Sequence, residues 1–525
     1  MPAGQQGSTP GRRSVLRGSL AASAALTLPI VGAAPALALS GRPRAAWGVQ
    51  TGDIDTRSGL VWVRSDRPAR MIVETSASES FRRTHTWHGP LLGPGSDFTG
   101  TTRLRGLPAG EQIHYRVTLA DPEDPRRTSS PVTGTFRTAP ERRHQDVRFV
   151  WSGDIAGQGW GINPELGGFR VFEEMRRRNP DFFLCSGDTV YADGPLQPTV
   201  TLPDGRIWRN VMTEEKAKVA ETLAEFRGTF RYNLLDENLR RFNAEVPSIV
   251  QWDDHEVRNN WYPGQILDDV RYTEKNVDVL AARARQAFGE YFPISTLSGR
   301  RDEGRVHRVV RHGPLLDVFV LDMRTYRNAN SANRQTDDPV GILGAEQLAW
   351  LKRELARSRA VWKVIASDMP LGLVVADGAV NFEAVAQGDP GAPLGRELQI
   401  AELLRFIKHQ RITGTLWLTA DVHYTSAQHY DPSRAAFKDF APFWEFVSGP
   451  LAAGGFPAVK LDSTFGPEQS FVKAPTRANV SPAESPQYFG EVDIDGGSGE
   501  LTVRLREDTG AVLFTKVLQP GRVGQ

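Results

Sequence analysis

Four short segments place acidic, phenolic or imidazole side chains directly after runs of apolar residues. These segments are Asp154, Asp188 with Tyr191, Asp253-Asp254-His255, and Asp421-Val422-His423. Ligands and catalytic groups gather at the carboxyl ends of strands in a layered α/β fold, so the repeated arrangement predicts one shared site rather than four unrelated loops. Oxygen and nitrogen donors of these kinds are typical of a metal site.

Two of these carboxylates follow a glycine at the end of a predicted strand. Asp154 comes after the strand predicted at residues 147–151, and Asp188 comes after the strand predicted at residues 182–186. A preceding glycine permits a sharp backbone turn, which would point the carboxylate into the site. The Gly-Asp pair that ends at Asp53 lacks this strand and helix context, and we interpret it as a turn.

The densest polar cluster of the chain spans residues 251–261. Acidic residues favour the first turn of a helix, so one interpretation is a solvated helix start. That interpretation does not explain a histidine and two asparagines bracketed by two tryptophans, which are His255, Asn259, Asn260, Trp252 and Trp261. Further along the chain, Asp421 and His423 are two residues apart beyond a predicted strand, so both side chains can reach neighbouring metals.

Residues 146–520 alternate predicted strands with predicted helices. The strands are predicted at residues 147–151, 182–186, 247–252, 315–321, 361–366 and 416–418, and the helices at 169–178, 277–291, 344–357 and 395–409. Such alternation is typical of helices packed on a buried, largely parallel or mixed sheet, which makes the fold class α/β. Three β segments within residues 489–518 are expected to complete that sheet.

Residues 45–140 are predicted to form a small all-β domain without catalytic chemistry. Residues 59–64 and 69–74 have the composition of short strands, with a turn between them. Residues 102–117 resemble the fibronectin type III pattern, in which a Leu-Pro turn leads into a strand with a corner tyrosine, here Tyr115. A linker is expected at residues 138–145.

Composition limits the class of protein. The chain has 525 residues, which exceeds the size at which one core stops growing, so at least two domains are expected. A net charge of +1 and a hydrophobic fraction of 40% do not favour a nucleic-acid-binding or a disordered protein. The single cysteine, Cys185, excludes an internal disulfide and a multi-cysteine zinc site, and its apolar neighbours predict a buried, inert thiol.

Residues 1–38 are predicted to be an export signal. Arg12-Arg13 precedes an apolar stretch at residues 20–34, and small residues follow at 36–38. The paired arginines resemble the twin-arginine signal, which predicts export by the twin-arginine machinery to the cell envelope or the exterior; an ordinary secretory signal is the alternative. Two prolines, Pro29 and Pro35, interrupt the apolar stretch and argue against a membrane anchor, and no later segment is long and apolar enough to span a bilayer.

Three of these motifs together resemble a known family. They are Asp-Asp-His-Glu-Val at residues 253–257 followed by paired asparagines, Asp-Val-His at 421–423, and the segment 321–327. The chain resembles the calcineurin-like metallophosphoesterases and, within them, the PhoD-type alkaline phosphatases. The resemblance implies a four-layer αββα catalytic sandwich at residues 146–520, preceded by the fibronectin type III-like β-sandwich, and a secreted metal-dependent phosphoester hydrolase.

The resemblance also implies a set of metal ligands. The first metal would be held by Asp154, Asp188, Tyr191 and His423, and the second by Asp188, Asp254 and Asp421, with Asp368 as a further candidate. A tyrosinate among oxygen ligands suits Fe³⁺, whereas the aspartates of the second position favour Ca²⁺, Mg²⁺ or Mn²⁺ over Zn²⁺. Many members of the family have a cysteine near the first of these positions; this chain has Ser152-Gly153-Asp154 there, which lacks the sulfur ligand.

The mechanism implied by the resemblance is attack on phosphorus by a metal-activated hydroxide. His255 is the candidate general acid for the leaving oxygen, and Arg258, Asn259 or Arg324 would neutralise the phosphate. The expected substrate is a phosphomonoester or phosphodiester, either a small molecule or a lipid. The alternatives are a narrower phosphodiesterase of the phospholipase D type and a non-catalytic secreted binding protein.

Overall fold

Strands predominate in the computed structural model, which describes residues 41–297 and 304–521. The strands β1 to β24 are, in chain order, Val49–Gly52, Ser58–Arg64, Ala69–Ser76, His85–Leu92, Thr99–Arg105, Gln112–Ala120, Val132–Arg137, Val147–Ser152, Phe182–Ser186, Thr199–Thr201, Ile207–Arg209, Ser248–Gln251, Arg308–His312, Leu316–Val320, Trp362–Ala366, Ala376–Asp377, Asn381–Phe382, Thr415–Thr419, Thr425–Tyr430, Phe443–Val447, Pro467–Lys473, Tyr488–Ile494, Leu501–Glu507 and Val512–Leu518. The helices α1 to α6 are Arg170–Arg177, Leu223–Asn233, Glu237–Glu245, Val277–Tyr291, Gly344–Arg357 and Glu397–His409. The predicted export signal at residues 1–38 lies outside the described residues.

Two large sheets carry the fold. The nine-stranded sheet has the order β24-β23-β22-β8-β9-β12-β1-β2-β5, and the seven-stranded sheet has the order β13-β14-β15-β18-β20-β19-β21. The pairs β8-β9, β9-β12, β14-β15 and β15-β18 are parallel, whereas β22, β23 and β24 are antiparallel and extend the first sheet beside β8. The predicted mixed sheet and its completion by the three C-terminal segments are confirmed.

The two sheets pack face to face, with helices on their outer sides. Side chains alternate across a strand, so Phe182 and Leu184 of β9 point into the core between the sheets, while Phe183 and Cys185 point toward the helices. Helices α1 to α4 cover the nine-stranded sheet, and α5 and α6 cover the seven-stranded sheet. This arrangement is the expected αββα sandwich, and Cys185 is buried as predicted.

The N-terminal β region shares a sheet with the rest of the chain. Strands β1, β2 and β5 pack against the four-stranded sheet β4-β3-β6-β7 through one apolar core. They also continue the nine-stranded sheet, since β1 pairs with β12 at Gly52 and Ser248. Tyr115 is fully buried in β6, and its hydroxyl donates to the carbonyl oxygen of Ala244 in helix α3 at 3.0 Å. A corner tyrosine of the fibronectin type III pattern would instead bond to the backbone a few residues upstream. The domain boundary at residues 140–146 stays a prediction.

A buried ion pair ties the end of β1 to β13. The Asp53 carboxylate meets the Arg308 guanidinium through two hydrogen bonds of 2.8 Å, and both side chains are 3% exposed. Asp53 also accepts from the Ser295 amide at 2.7 Å. The turn predicted at Asp53 therefore also connects the end of β1 to the start of β13 and to the segment at Ser295.

Replacing Asp53 with asparagine should lower the free energy of unfolding by about 3 to 5 kcal/mol, because the buried Arg308 charge then lacks its partner. Urea denaturation measures the change. The matched control is Glu141→Gln, which removes the charge that faces Arg57 at 3.1 Å in a pair that is more than 60% exposed. That change should cost less than about 1 kcal/mol. Equal effects of the two substitutions would contradict the expected role of the Asp53 pair.

Candidate metal centre

The predicted site residues meet at one edge of the two facing sheets. Asp154 and Asp188 follow β8 and β9, the segment 253–255 follows β12, Asp368 follows β15, and Asp421 and His423 follow β18. These strands run parallel within their sheets, so their carboxyl ends lie at the same edge. Asp421 is partly exposed; the other carboxylates here are buried, and Asp154 and Asp368 have no exposed surface.

The backbone at this edge is strained. Asp154, Asp188, Asp421 and His423 have φ angles of 67°, 49°, 69° and 58°, in the left-handed region that L-residues seldom adopt. Such conformations cost of order 1 to 3 kcal/mol each and cluster at functional sites. Gly187 is also left-handed, with a φ of 92°, and a Cβ there would lie 2.5 Å from Asp253 Cβ. The turns therefore hold the acidic side chains where several chain segments approach closely.

The first group of donors consists of Asp154, Asp188 and His423, with donor atoms within 4.8 Å of one another. His423 Nδ1 donates to the carbonyl oxygen of Gly454 at 2.6 Å, which fixes the ring and leaves Nε2 facing the site. Nε2 accepts from the hydroxyl of Tyr191 at 2.8 Å. All four side chains proposed for the first metal are thus adjacent and buried.

The second group consists of Asp188, Asp254 and His255, also within 4.8 Å of one another. Asp188 belongs to both groups, as a bridging ligand would. His255 Nδ1 donates to Asp193 at 2.7 Å, while His255 Nε2 lies 3.9 Å from Asp254 Oδ1. The imidazole lies over the Tyr191 ring at a centroid distance of 4.2 Å.

The electrostatics of the site indicate a need for cations. At this edge, seven carboxylate oxygens are buried without a hydrogen-bond partner among the described residues: both oxygens of Asp154 and of Asp368, Asp253 Oδ2, Asp254 Oδ1 and Glu383 Oε1. Burial and the neighbouring carboxylates raise the pKa values of Asp154 and Asp188 well above the usual range. Buried carboxylates of this kind are normally paired or coordinated to metals, so the donor set fits metal binding.

The pKa values of the two histidines are shifted in opposite directions. Burial lowers the pKa of His423 to about 4, which keeps the imidazole neutral, as a ligand must be. Burial also disfavours the charged form of His255, but Asp193 and Asp254 outweigh it and raise the pKa of His255 to about 10. His255 therefore carries protons on both ring nitrogens, whereas His423 carries one, on Nδ1.

The three residues predicted to bind phosphate occupy different environments. Arg258 is partly exposed and Asn259 is exposed. The backbone amide of Asn259 donates to Asp193 Oδ2 at 2.8 Å. Arg324 has no exposed surface, and its guanidinium is surrounded by carboxylates, among them Asp253. Arg324 therefore lies in a buried acidic environment, whereas Arg258 and Asn259 are accessible to solvent.

Sequence reasoning missed three carboxylates at this edge. Asp193 orients His255, and it lies in the same turn as Asp188, a signal that was available. Glu256 accepts from the amide and the hydroxyl of Thr189, both at 2.6 Å, and from the Asp253 amide at 2.9 Å, so it joins two of the turns. Glu383 contacts Arg324 but comes from a loop without a preceding apolar strand, so no local pattern marks it.

Replacing Asp193 with asparagine should lower kcat about 10- to 100-fold with little change in KM, because the imidazole loses the group that orients it and holds its proton. A raised pKa keeps His255 protonated at low pH and lets it lose the proton as pH rises. Without the Asp193 charge, the alkaline limb of the pH profile should therefore move to lower pH. Steady-state kinetics across pH test this, and an unchanged limb would contradict it.

Comparisons with known proteins place this chain in a family. Residues 149–505 match the model of the PhoD-like phosphatase family, and residues 32–140 match the model of the PhoD-like phosphatase N-terminal domain. The chain belongs to the PhoD-like phosphatase family. It is 29% identical to alkaline phosphatase D of Bacillus subtilis (strain 168) over 319 residues, which is 57% of this chain and 51% of the relative. The match thus spans about half the length of that relative.

Two solved structures share the fold. One, described as the structure of PhoD, is 21% identical, has a TM-score of 0.68, and aligns with 92% of this chain and 91% of its own. The other, a purple acid phosphatase from yellow lupin (Lupinus luteus) seeds, is 12% identical with a TM-score of 0.54, over 91% of this chain and 74% of its own. The predicted α/β fold of the metallophosphoesterase type is confirmed.

Proposed function

We propose that this protein hydrolyses phosphoric esters with the help of metal ions. The observation that carries the proposal is the pair of buried donor groups that share Asp188, with carboxylate oxygens that have no hydrogen-bond partner among the described residues. Membership of the PhoD-like phosphatase family supports the same reaction class. A metal site with two ligand groups and a shared carboxylate suits phosphoryl transfer to water.

The two positions differ in their donors. Asp154, Asp188, Tyr191 and His423 would hold one metal, and the phenolate favours Fe³⁺. The second donor group includes His255, but we assign that imidazole to proton transfer. Asp188, Asp254 and Asp421, with Asp368 nearby, would hold the other metal, and oxygen-only ligation favours Ca²⁺, or Mn²⁺ or Mg²⁺. When bound, such ions polarise phosphoryl oxygens and lower the pKa of water.

The remaining residues are proposed to donate a proton to the leaving group or to neutralise the charge of the phosphate. His255 would give its Nε2 proton to the leaving oxygen, and the hydrogen bond between Nδ1 and Asp193 supports this role. Arg258 and Asn259, on the accessible side, are our candidates for contact with the phosphate. Arg324 is enclosed by carboxylates, which favours a supporting role over contact with the substrate.

The test combines metal analysis with kinetics. Protein purified after native export should contain stoichiometric metal, and a visible absorption band that disappears in Tyr191→Phe would identify a tyrosinate bound to Fe³⁺. Stoichiometric zinc without dependence on calcium would contradict the proposed metals. Loss of turnover after chelation and its return with added ions would support the reaction class, and the absence of any metal-dependent turnover would leave the non-catalytic alternative.

The type of ester is a separate question. Hydrolysis rates of p-nitrophenyl phosphate and bis-(p-nitrophenyl) phosphate distinguish a broad phosphatase from a phosphodiesterase. Hydrolysis of the diester but not of the monoester, together with hydrolysis of a phospholipid, would favour the narrower phosphodiesterase of the phospholipase D type.

We also propose that the protein is exported by the twin-arginine route, on the strength of the Arg12-Arg13 motif and the apolar stretch after it. None of the helices within the described ranges has the length and apolar character that a bilayer crossing needs. Replacing both arginines with lysine should retain the protein inside the cell, and unchanged export would point to the general secretory route.

A further inference from the structure

Lys216 is a buried lysine beside the turn that carries Tyr191 and Asp193. It lies in a short 3₁₀ helix at Glu215–Ala217, and the residue is 3% exposed. Its Nζ donates to the carbonyl oxygen of Tyr191 at 2.7 Å. No part of the proposed mechanism uses this ammonium group.

The surroundings of the Lys216 ammonium group are poor for a buried charge. Among the described residues, no carboxylate oxygen lies within 4.0 Å of Nζ, and the Tyr191 carbonyl is its one hydrogen-bond acceptor. An ammonium group has three donors, and burying a charge without a close partner is unfavourable. Burial lowers the pKa of Lys216 to about 8, and the charge of Asp193 opposes that shift, so the ammonium form persists at neutral pH.

The short helix that carries Lys216 is itself fixed. Glu215 pairs with Arg231 of helix α2 at 2.6 Å. The carbonyl oxygen of Lys216 accepts from the Leu196 amide at 2.7 Å. The lysine side chain therefore reaches the turn from a base that is held on two sides.

The turn that Lys216 contacts serves two parts of the site. The Tyr191 hydroxyl donates to His423 Nε2 at 2.8 Å, and Asp193 accepts from His255 Nδ1 at 2.7 Å. The Tyr191 carbonyl lies between the Tyr191 and Asp193 side chains along the backbone. A shift of this carbonyl would therefore misdirect both side chains.

A neutral side chain holds a neighbouring carbonyl of the same segment. The side-chain amide of Asn233 donates to the Thr189 carbonyl oxygen at 2.7 Å and carries no charge. The Tyr191 carbonyl, by contrast, accepts from Lys216 at 2.7 Å and only distantly, at 3.4 Å, from the Gly194 amide. A backbone carbonyl can thus be held here without a buried charge, so stability alone does not explain the lysine.

We propose that Lys216 is a positioning residue of the site: its ammonium group fixes the Tyr191 carbonyl and so sets the direction of the Tyr191 and Asp193 side chains together. Its charge also offsets that of the buried Asp193 carboxylate, which a neutral donor would not do. The inference rests on the proposed function, because Tyr191 and Asp193 act in the proposed reaction.

The test is a double-mutant cycle on kcat, with an alkyl phosphomonoester or phosphodiester as substrate because its leaving group needs a proton. Lys216→Met should lower kcat about 10- to 100-fold with little change in KM, as expected for a residue that orients groups of the site from outside. Its Tm should not fall, because methionine fills the space without a buried charge. Asp193→Asn should then lower kcat much less in Lys216→Met than in the wild type, because both substitutions misdirect the same imidazole.

The matched control is Lys218→Met. Lys218 lies two residues further along the chain, is 50% exposed, and pairs with Glu225 at 2.8 Å. This substitution should leave kcat unchanged, and it should not alter the effect of Asp193→Asn.

Each outcome has a defined meaning. A folded Lys216→Met variant with the wild-type kcat would overturn the inference, and so would effects of Lys216→Met and Asp193→Asn that multiply. If Lys216→Met does not fold, Lys216→Gln takes its place, since its amide keeps a donor and loses the charge. In that cycle, an effect of Asp193→Asn that shrinks supports the inference, and effects that multiply overturn it. A wild-type protein without metal-dependent turnover would instead refute the proposed function, so the two failures are distinguishable.

Discussion

Replacing His255 with alanine should lower kcat about 10²- to 10⁴-fold and leave the metal content nearly intact. The structure gives the reason: Nδ1 is bonded to Asp193, while Nε2 is 3.9 Å from Asp254, too far for a hydrogen bond, and so can serve the leaving oxygen. The raised pKa of His255, about 10, keeps the proton available in neutral and mildly alkaline solution. Kinetics with plasma mass spectrometry on the same sample measure both quantities.

The loss should depend on the leaving group. An alkyl alcohol needs a proton as it departs, whereas p-nitrophenolate is stable without one, so the variant should lose more activity on alkyl phosphates. His409→Ala is the matched control, because His409 is an exposed residue at the end of helix α6 that pairs with Asp439. If His255→Ala also loses metal, His255 is a ligand rather than the acid.

Replacing Asp188 with asparagine should also cause a large loss of activity. Asp188 belongs to both donor groups, so a weaker ligand there affects both metal positions at once. Metal polarisation of the phosphoryl group contributes several kcal/mol, and each 1.4 kcal/mol is about tenfold, so the loss should be at least about a thousandfold. Metal content should fall in parallel.

The same substitution should have the opposite effect on the stability of chelated protein. Burial and the charges of Asp254 and Asp253 raise the pKa of Asp188, so the ionised carboxylate is unfavourable in the folded state without metal. A raised pKa in the folded state means that the contribution to stability is lost as pH rises through it. A neutral asparagine avoids that loss, so Asp188→Asn should unfold at a higher temperature than the wild type in excess chelator at neutral pH. Asp389→Asn, at a partly exposed turn where Asp389 pairs with Arg334, should change neither metal content nor, by more than a small amount, this temperature.

Local patterns in the sequence predict the strands that position the site. Apolar runs that end in a carboxylate identify β8, β9, β12, β15 and β18 within about one or two residues, and helices α4 and α5 have the predicted bounds. These elements are buried on one or both faces, so the pattern of apolar residues along the sequence reveals them. Helix α2 was missed although Thr222 and Glu225 form a capping box at its start, a pattern that is visible in the sequence.

What the sequence could not predict depends on contacts between distant segments. Glu383 and Asp253 meet only because separate loops converge on Arg324, and nothing near either residue in the chain indicates the other. The sharing of one sheet by β1 and β12 likewise depends on pairing across almost 200 residues. The hydrogen bond of Tyr115 with Ala244 joins residues that are 129 positions apart, so a local fibronectin-like pattern could not reveal it.

The order of strands in the nine-stranded sheet has a consequence for biogenesis. Strand β8, which leads into Asp154, lies between β9 and β22, and Trp151 pairs with Gly490. During synthesis, one edge of β8 therefore has no partner until residues 488–494 leave the ribosome. Unpaired strand edges promote association with other chains, and distant pairings slow folding. The sheet next to the acidic site is thus completed only after β22 has been synthesised, and a nascent chain that stalls before β22 exposes an aggregation-prone edge there.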